Sequence, residues 1–204
     1  FGASAPLPCR EGSFSSATNL ASADECTKTD PGFFAPTGSR EPTPCAAGTF
    51  ARSGGLATCE LCPAGTFASA LGNTACSNCT RGFLCVEGAT TPQPCPGGTY
   101  ADPVILATAG YLSNITTDCV ACPAGTSCPL GSAEPVPCLP GSYGVEARQS
   151  TCDLCPAGQY QPEAGKTGCL TCRGGYCPGG SPNPISCEIG AGLPHAATLA
   201  KGST

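Results

Sequence analysis

The sequence predicts a small disulfide-rich fold: an elongated tandem array of short β-hairpin modules with little helix and no large core. Three observations predict it. Nineteen cysteines in 204 residues lie at the roughly 8–10% that marks a covalently stapled scaffold. Leu, Ile, Val and Phe together supply 30 residues, fewer than the roughly one fifth an ordinary core requires. Twenty-eight Gly and 22 Pro favour turns and extended segments over long helices.

One pattern recurs along the chain: Cys, two residues, Gly, then Ser, Thr or Gln, then an aromatic, then a second Cys. Six copies of this A unit run from Cys9 to Cys26, Cys45 to Cys59, Cys62 to Cys76, Cys95 to Cys119, Cys138 to Cys152 and Cys155 to Cys169. A shorter B unit follows some of them, at Cys79–Cys85, Cys122–Cys128 and Cys172–Cys177, and leads through a Pro-containing stretch to the next A unit. The blocks this defines are 1–44, with a degenerate second half; 45–94; 95–137, with an enlarged loop; 138–186; and 187–204, the start of a further unit. Such a series is an array of supersecondary units, not a globule.

Within the A unit, Gly12, Gly48, Gly65, Gly98, Gly141 and Gly158 mark a bend that a side chain would resist. The aromatic two positions later (Phe14, Phe50, Phe67, Tyr100, Tyr143, Tyr160) is the largest apolar surface available to cover a bridge. The reading is a two-stranded hairpin closed by a disulfide, with a Pro-directed joint to the next and the C-x-x-C pairs as junctions between modules.

The four cysteines of "CELCPAGTFASALGNTACSNC" could hold a metal ion or each other. The degenerate first block tests this. Aligning "CTKTDPGFFA" on "CSNCTRGFLC" puts Thr29 where Cys79 stands and Ala35 where Cys85 stands, so both cysteines of one B unit are lost together. Loss in concert is what local pairing predicts. The expected bridges are Cys9–Cys26, Cys45–Cys59, Cys62–Cys76, Cys79–Cys85, Cys95–Cys119, Cys122–Cys128, Cys138–Cys152, Cys155–Cys169 and Cys172–Cys177. Zinc on Cys59, Cys62, Cys76 and Cys79, and on Cys152, Cys155, Cys169 and Cys172, would leave eleven cysteines without a role. A C-x-x-C redox site is weaker still, because no βαβ pattern surrounds the motif. Cys187 is left over at the start of an A unit without its second Cys, and the chain starts at Phe1 with neither an initiator Met nor an apolar leader. Both features lead us to expect a piece of a longer protein.

"CPAGTF" and "CPGGTY" with their paired cysteines resemble the ephrin-receptor-like cysteine-rich repeat, a relative of the tumour-necrosis-factor-receptor and EGF-like modules, over nearly the whole span from Cys9 to Cys187. The B units, with five or six residues from Cys to Cys, depart from that pattern. The resemblance implies extracellular rods of small disulfide-bonded units in receptors, matrix proteins and large surface proteins, with no catalytic activity of their own.

The remaining residues bear on function mostly by exclusion. Nine Lys and Arg are scattered from Arg10 to Lys201 and the net charge is −5, so a basic footprint for nucleic acid is absent. No run approaches the ~18 apolar residues of a membrane span; the most apolar stretch is Val104–Ser113, "VILATAGYLS", a candidate contact patch or a segment packed on its neighbour. His195 is the sole histidine and gives no Ser or Cys a base. Asp24, Glu25, Asp102, Asp118 and Glu163 form no calcium-loop pattern and read as solubilising charges. No catalytic residue, cofactor or metal is expected. Asn114 in "NIT" is a glycosylation acceptor on the enlarged loop, and Asn78 in "NCT" a poorer one because its middle residue is a bridged Cys. The expected function is an extracellular structural segment of a surface, matrix or filament-forming glycoprotein such as a flagellar-hair component. Its expected partners are other extracellular proteins or copies of itself and an N-linked glycan, with no nucleic acid and no membrane contact. The rival is a receptor ectodomain that binds a protein ligand through an aromatic- and Arg-rich hot spot.

Overall fold

In the computed structural model, which describes residues 8–18 and 20–186, each repeat begins with a turn that glycine makes possible. Gly65 has φ +86°, and the N–H of Thr66 donates to the carbonyl of Pro63, closing a type II turn whose third position must be left-handed. The Thr66 hydroxyl donates to that same carbonyl at 2.7 Å. Ser13, Thr49, Thr99, Thr126 and Ser142 do the same in their repeats, which explains the recurring hydroxyl after the glycine.

The two residues after the turn form a short strand. Its antiparallel partner is the pair of residues just before the next repeat's leading position: Thr66–Phe67 pairs with Ser77–Asn78, and Phe83–Leu84 with Gln93–Pro94. Among the described residues there are ten such two-stranded sheets, each made of consecutive strands. The residues between the cysteines of each C-x-x-C are therefore return strands, where the sequence suggested junctions. A and B units are one repeat with the second cysteine in different places. Their leading positions are Cys9, Thr29, Cys45, Cys62, Cys79, Cys95, Cys122, Cys138, Cys155 and Cys172, mostly 16 or 17 residues apart, as from 45 to 62 to 79.

Neighbouring repeats are joined by the same backbone hydrogen bonds again and again. The turn glycine donates to a carbonyl of the next repeat (Gly48 to Ala68, Gly65 to Cys85, Gly98 to Cys128), and its own carbonyl accepts from the next leading residue (Cys62 to Gly48, Cys79 to Gly65). A second left-handed glycine in the following repeat donates back to the leading Cys carbonyl, as Gly72 does to Cys45 and Gly165 to Cys138. In the repeat led by Cys138 that position is Arg148, the one non-Gly residue with positive φ (67°) among the described residues. Its N–H makes the equivalent bond, to the Cys122 carbonyl.

Contact also reaches two repeats along. A Cβ built on Gly12 would stand 2.1 Å from the carbonyl oxygen of Gly55, and those on Gly48, Gly98 and Gly141 would be 2.3, 2.1 and 2.2 Å from the oxygens of Gly88, Arg148 and Gly180. Positive φ and lack of room thus both demand glycine. The structure holds hairpins to their next two neighbours along the stack, because backbone as bare as this can approach so closely.

The described residues form no large core. Leading cysteines 45, 62, 95, 122, 138 and 155 are buried, and so are the small residues six positions after a leading position (Ala35, Ala51, Ala68 and Ala101, or Cys85 and Cys128). Phe50 packs with Cys62 and Ala68 of the following repeat, against Cys76, so the aromatic covers the next repeat's bridge. In the repeat that lacks cysteines, Thr29 and Ala35 are both buried, and the Thr29 hydroxyl accepts from the Gly55 N–H at 2.8 Å. Cys187, His195 and the further unit expected over 187–204 lie outside the described residues.

Candidate functional site

The largest departure from the regular repeat among the described residues is the loop between Ala101 and Cys119, so that is where a specific function would be carried. Its first residues form a short helix, Pro103–Thr108. The Asp102 carboxylate caps it by accepting from the Val104 N–H at 2.7 Å, and Pro103 takes the first helical position, where no N–H is needed. Gly110, at φ +79°, ends it. Ile105 and Leu106 pack on a cluster of Leu84, Cys95, Ala101, Leu112 and Cys119. Of "VILATAGYLS", Ile105, Leu106 and Leu112 are thus packed on the adjoining hairpin and Tyr111 covers Gly65, while the remaining residues are exposed. Val104, 66% exposed, faces solvent.

The second half of the loop is organised by Asp118. Its side chain is buried, with one carboxylate oxygen accepting from the N–H groups of Ser113 (2.7 Å) and Asn114 (2.8 Å) and from the Ser113 hydroxyl, and the other from the Thr117 hydroxyl. Burial raises its pKa, but the hydrogen bonds from Thr117, Ser113 and Asn114 together outweigh it and hold the carboxyl below its ordinary 3.8. A depressed folded-state pKa means the stabilisation is complete above 3.8 and is lost as pH falls through the lower folded value. Protection of the Ser113 and Asn114 amides, measured against the intrinsic exchange rate at each pH, is expected to be high at neutral pH and to fall in that acid range. Asp118→Ala should give low protection at every pH, at a cost of about 2 kcal/mol. High protection at neutral pH in that variant would refute this role. Asp118 is thus structural, where its sequence context suggested only a solubilising charge.

Asn114 is exposed on this loop, its Oδ1 accepting from both the N–H (2.9 Å) and the hydroxyl (2.7 Å) of Thr116. Asn78 is also exposed, but it lies in a return strand and the next residue is bonded through sulfur to Cys85. Beside Asn114, between the loop and the Phe83–Pro94 hairpin, runs an open groove of about 480 Å³ walled by Leu84, Val86, Thr90 and Ile115.

The cysteines raised as metal candidates are all bonded to other cysteines. Cys59 pairs with Cys45, Cys62 with Cys76 and Cys79 with Cys85; Cys152 pairs with Cys138, Cys155 with Cys169 and Cys172 with Cys177. Cys9–Cys26, Cys95–Cys119 and Cys122–Cys128 complete the nine bridges among the described residues.

The family model for tyrosine-protein kinase ephrin type A/B receptor-like sequences matches residues 48–93 and 141–182. These segments are ephrin-receptor-like repeats. Each holds the same run of two A units and a B unit, beginning at its first turn glycine, Gly48 or Gly141. The hairpins led by Cys9, Thr29, Cys95 and Cys122 lie outside the match, yet continue the stack with the same backbone bonds. No curated protein matches the chain. The ephrin-receptor-like repeat is a non-catalytic, disulfide-rich module of extracellular proteins, and cysteines bonded in such number fit an oxidising compartment. No helix among the described residues is long and apolar enough to cross a membrane.

Proposed function

We propose that the chain is a structural spacer: a disulfide-stapled rod within a larger surface, matrix or filament-forming glycoprotein, of the kind that builds flagellar hairs. The observation that supports this best is the constant register of backbone bonds from one repeat to the next, as at Gly48–Ala68, Gly65–Cys85 and Gly141–Gln161. A stack held in that way transmits length and direction. Its partners are other extracellular proteins or further copies of the chain, with an N-linked glycan on Asn114 and a lesser one on Asn78.

Small-angle scattering tests the shape. A compact globule of this length has a radius of gyration of about 17 Å. The rod should exceed that clearly, and a value at the globular figure would sink the spacer reading. Peptide mapping of protein from its native source should find Asn114 modified; an unmodified Asn114 would count against a secreted glycoprotein.

The groove beside Ile115, with Val104 exposed on the same loop, favours a second reading, a receptor ectodomain that binds a protein ligand. Val104→Asp with Ile115→Asp separates the two. Loss of a partner with the scattering curve unchanged would favour the receptor.

A further inference from the structure

Among the described residues, nine of the ten hairpins contain or adjoin a bridge at their leading residue, and one does not. In the hairpin Phe33–Phe34 with Thr43–Pro44, Thr29 and Ala35 occupy the places taken by Cys79 and Cys85 three repeats later. The bridges on either side end at Cys26 and begin at Cys45. Residues 27–44 are consequently the longest stretch between consecutive bridges among the described residues. The corresponding stretches after Cys85 and Cys128 are 86–94 and 129–137, and those inside each C-x-x-C are two residues long.

Without a disulfide, this hairpin is held in the stack by packing and by hydrogen bonds. Toward the first repeat they run from Gly12 N–H to Ala35, from Thr29 to Gly12 and from Gly38 to Cys9; toward the third, from Gly32 to Ala51, Ala35 to Leu56 and Cys45 to Gly32. Tension along the chain pulls on these bonds directly. In a bridged repeat the covalent link carries part of the same load and limits how much chain can be drawn out.

We propose that residues 27–44 form a tension-yielding joint, the place where the rod lengthens reversibly before any bridged repeat gives way. Nineteen peptide steps from Cys26 to Cys45, at about 3.4 Å each, hold about 65 Å of contour. Ten steps from Cys85 to Cys95, or from Cys128 to Cys138, hold about 35 Å. When the hairpin opens, the Gly12–Gly55 contact across it is lost as well, so the two bridged parts stay tethered but become free to change direction. The inference stands on the bridge pattern and holds whether the chain is a spacer or a receptor stalk.

The test is to pull the full chain by its ends, without reductant, in a single-molecule instrument. The lowest-force event should release close to 65 Å of contour, less the folded separation of its ends, and should recover on relaxation. In Thr29→Cys with Ala35→Cys, a bridge like Cys79–Cys85 should remove that event and leave steps nearer 35 Å at higher force. A lowest-force step of about 35 Å in the unmodified chain, or a long step that persists once the new bridge has formed, overturns the proposal. Hydrogen exchange on the unmodified chain decides the matter should the double variant not fold. The amides of Phe34 and Cys45 should exchange ahead of those of Phe67 and Cys79, and equal or slower exchange overturns the joint.

Discussion

Replacing Gly98 with alanine is expected to destabilise the protein by at least about 3 kcal/mol, because two separate penalties fall on one atom. The residue sits at φ +83°, where an L side chain is strained. Its new Cβ would also stand 2.1 Å from the Arg148 carbonyl oxygen, two repeats along. That oxygen cannot move aside easily: it belongs to a backbone unit whose own N–H is bonded to Cys122. Gly110 is the control. It has φ +79° and no atom of the described residues within 4 Å of its Cβ position, so Gly110→Ala should cost only the conformational ~1–2 kcal/mol. Unfolding in denaturant, followed for both variants under oxidising conditions, makes the comparison. Equal losses would show that the close approach between alternate repeats contributes nothing.

Removing the bridge of the sixth repeat, with Cys95→Ala and Cys119→Ala together, should cost a similar amount. Its cysteines are 24 residues apart, and closing a loop of that length in the unfolded chain corresponds to about 3.5 kcal/mol. Cys122 and Cys128 are six apart, so the same paired substitution there should cost about 2 kcal/mol. The loss should also spread. Gly98, in the repeat that loses its bridge, exchanges bonds with Cys122 and Cys128 of the next, so exchange protection should fall beyond residue 121 as well as within the loop. Protection lost strictly between 95 and 121 would mean that the repeats fold as independent beads.

Much of this architecture could be read in the amino-acid sequence, and the parts that could not have a common cause. Hairpins and their start points follow from local chemistry: a left-handed glycine and a hydroxyl beside it act within four residues, and "CPAGTF" announces them. The joint absence of Cys79 and Cys85 equivalents at Thr29 and Ala35 was equally legible. The return strands were not, since Glu60–Leu61 and Ser77–Asn78 carry no strand-like pattern and are strands only because a neighbour's backbone lies opposite. The approach of Gly12 to Gly55, or of Gly98 to Arg148, depends on how successive repeats are rotated, which no single repeat encodes. At the loop, "DPVILATAG" did hold a capping Asp, a first-turn Pro and a terminating Gly, the signals of a short helix. The role of Asp118 was hidden because its donors, the N–H groups of Ser113 and Asn114, are brought to it by the turn it stabilises.

The enlarged loop from Asp102 to Asp118 leaves the surrounding bonds untouched: Gly98 still donates to Cys128, Cys122 to Gly98 and Gly131 to Cys95, as in repeats without it. The stretch between the first strand and the second cysteine is thus a place where sequence can be gained without re-indexing anything downstream. An ancestral chain could acquire a recognition element there in one step, and a foreign peptide grafted at the same point today should be displayed at a fixed height on a scaffold that does not register its presence.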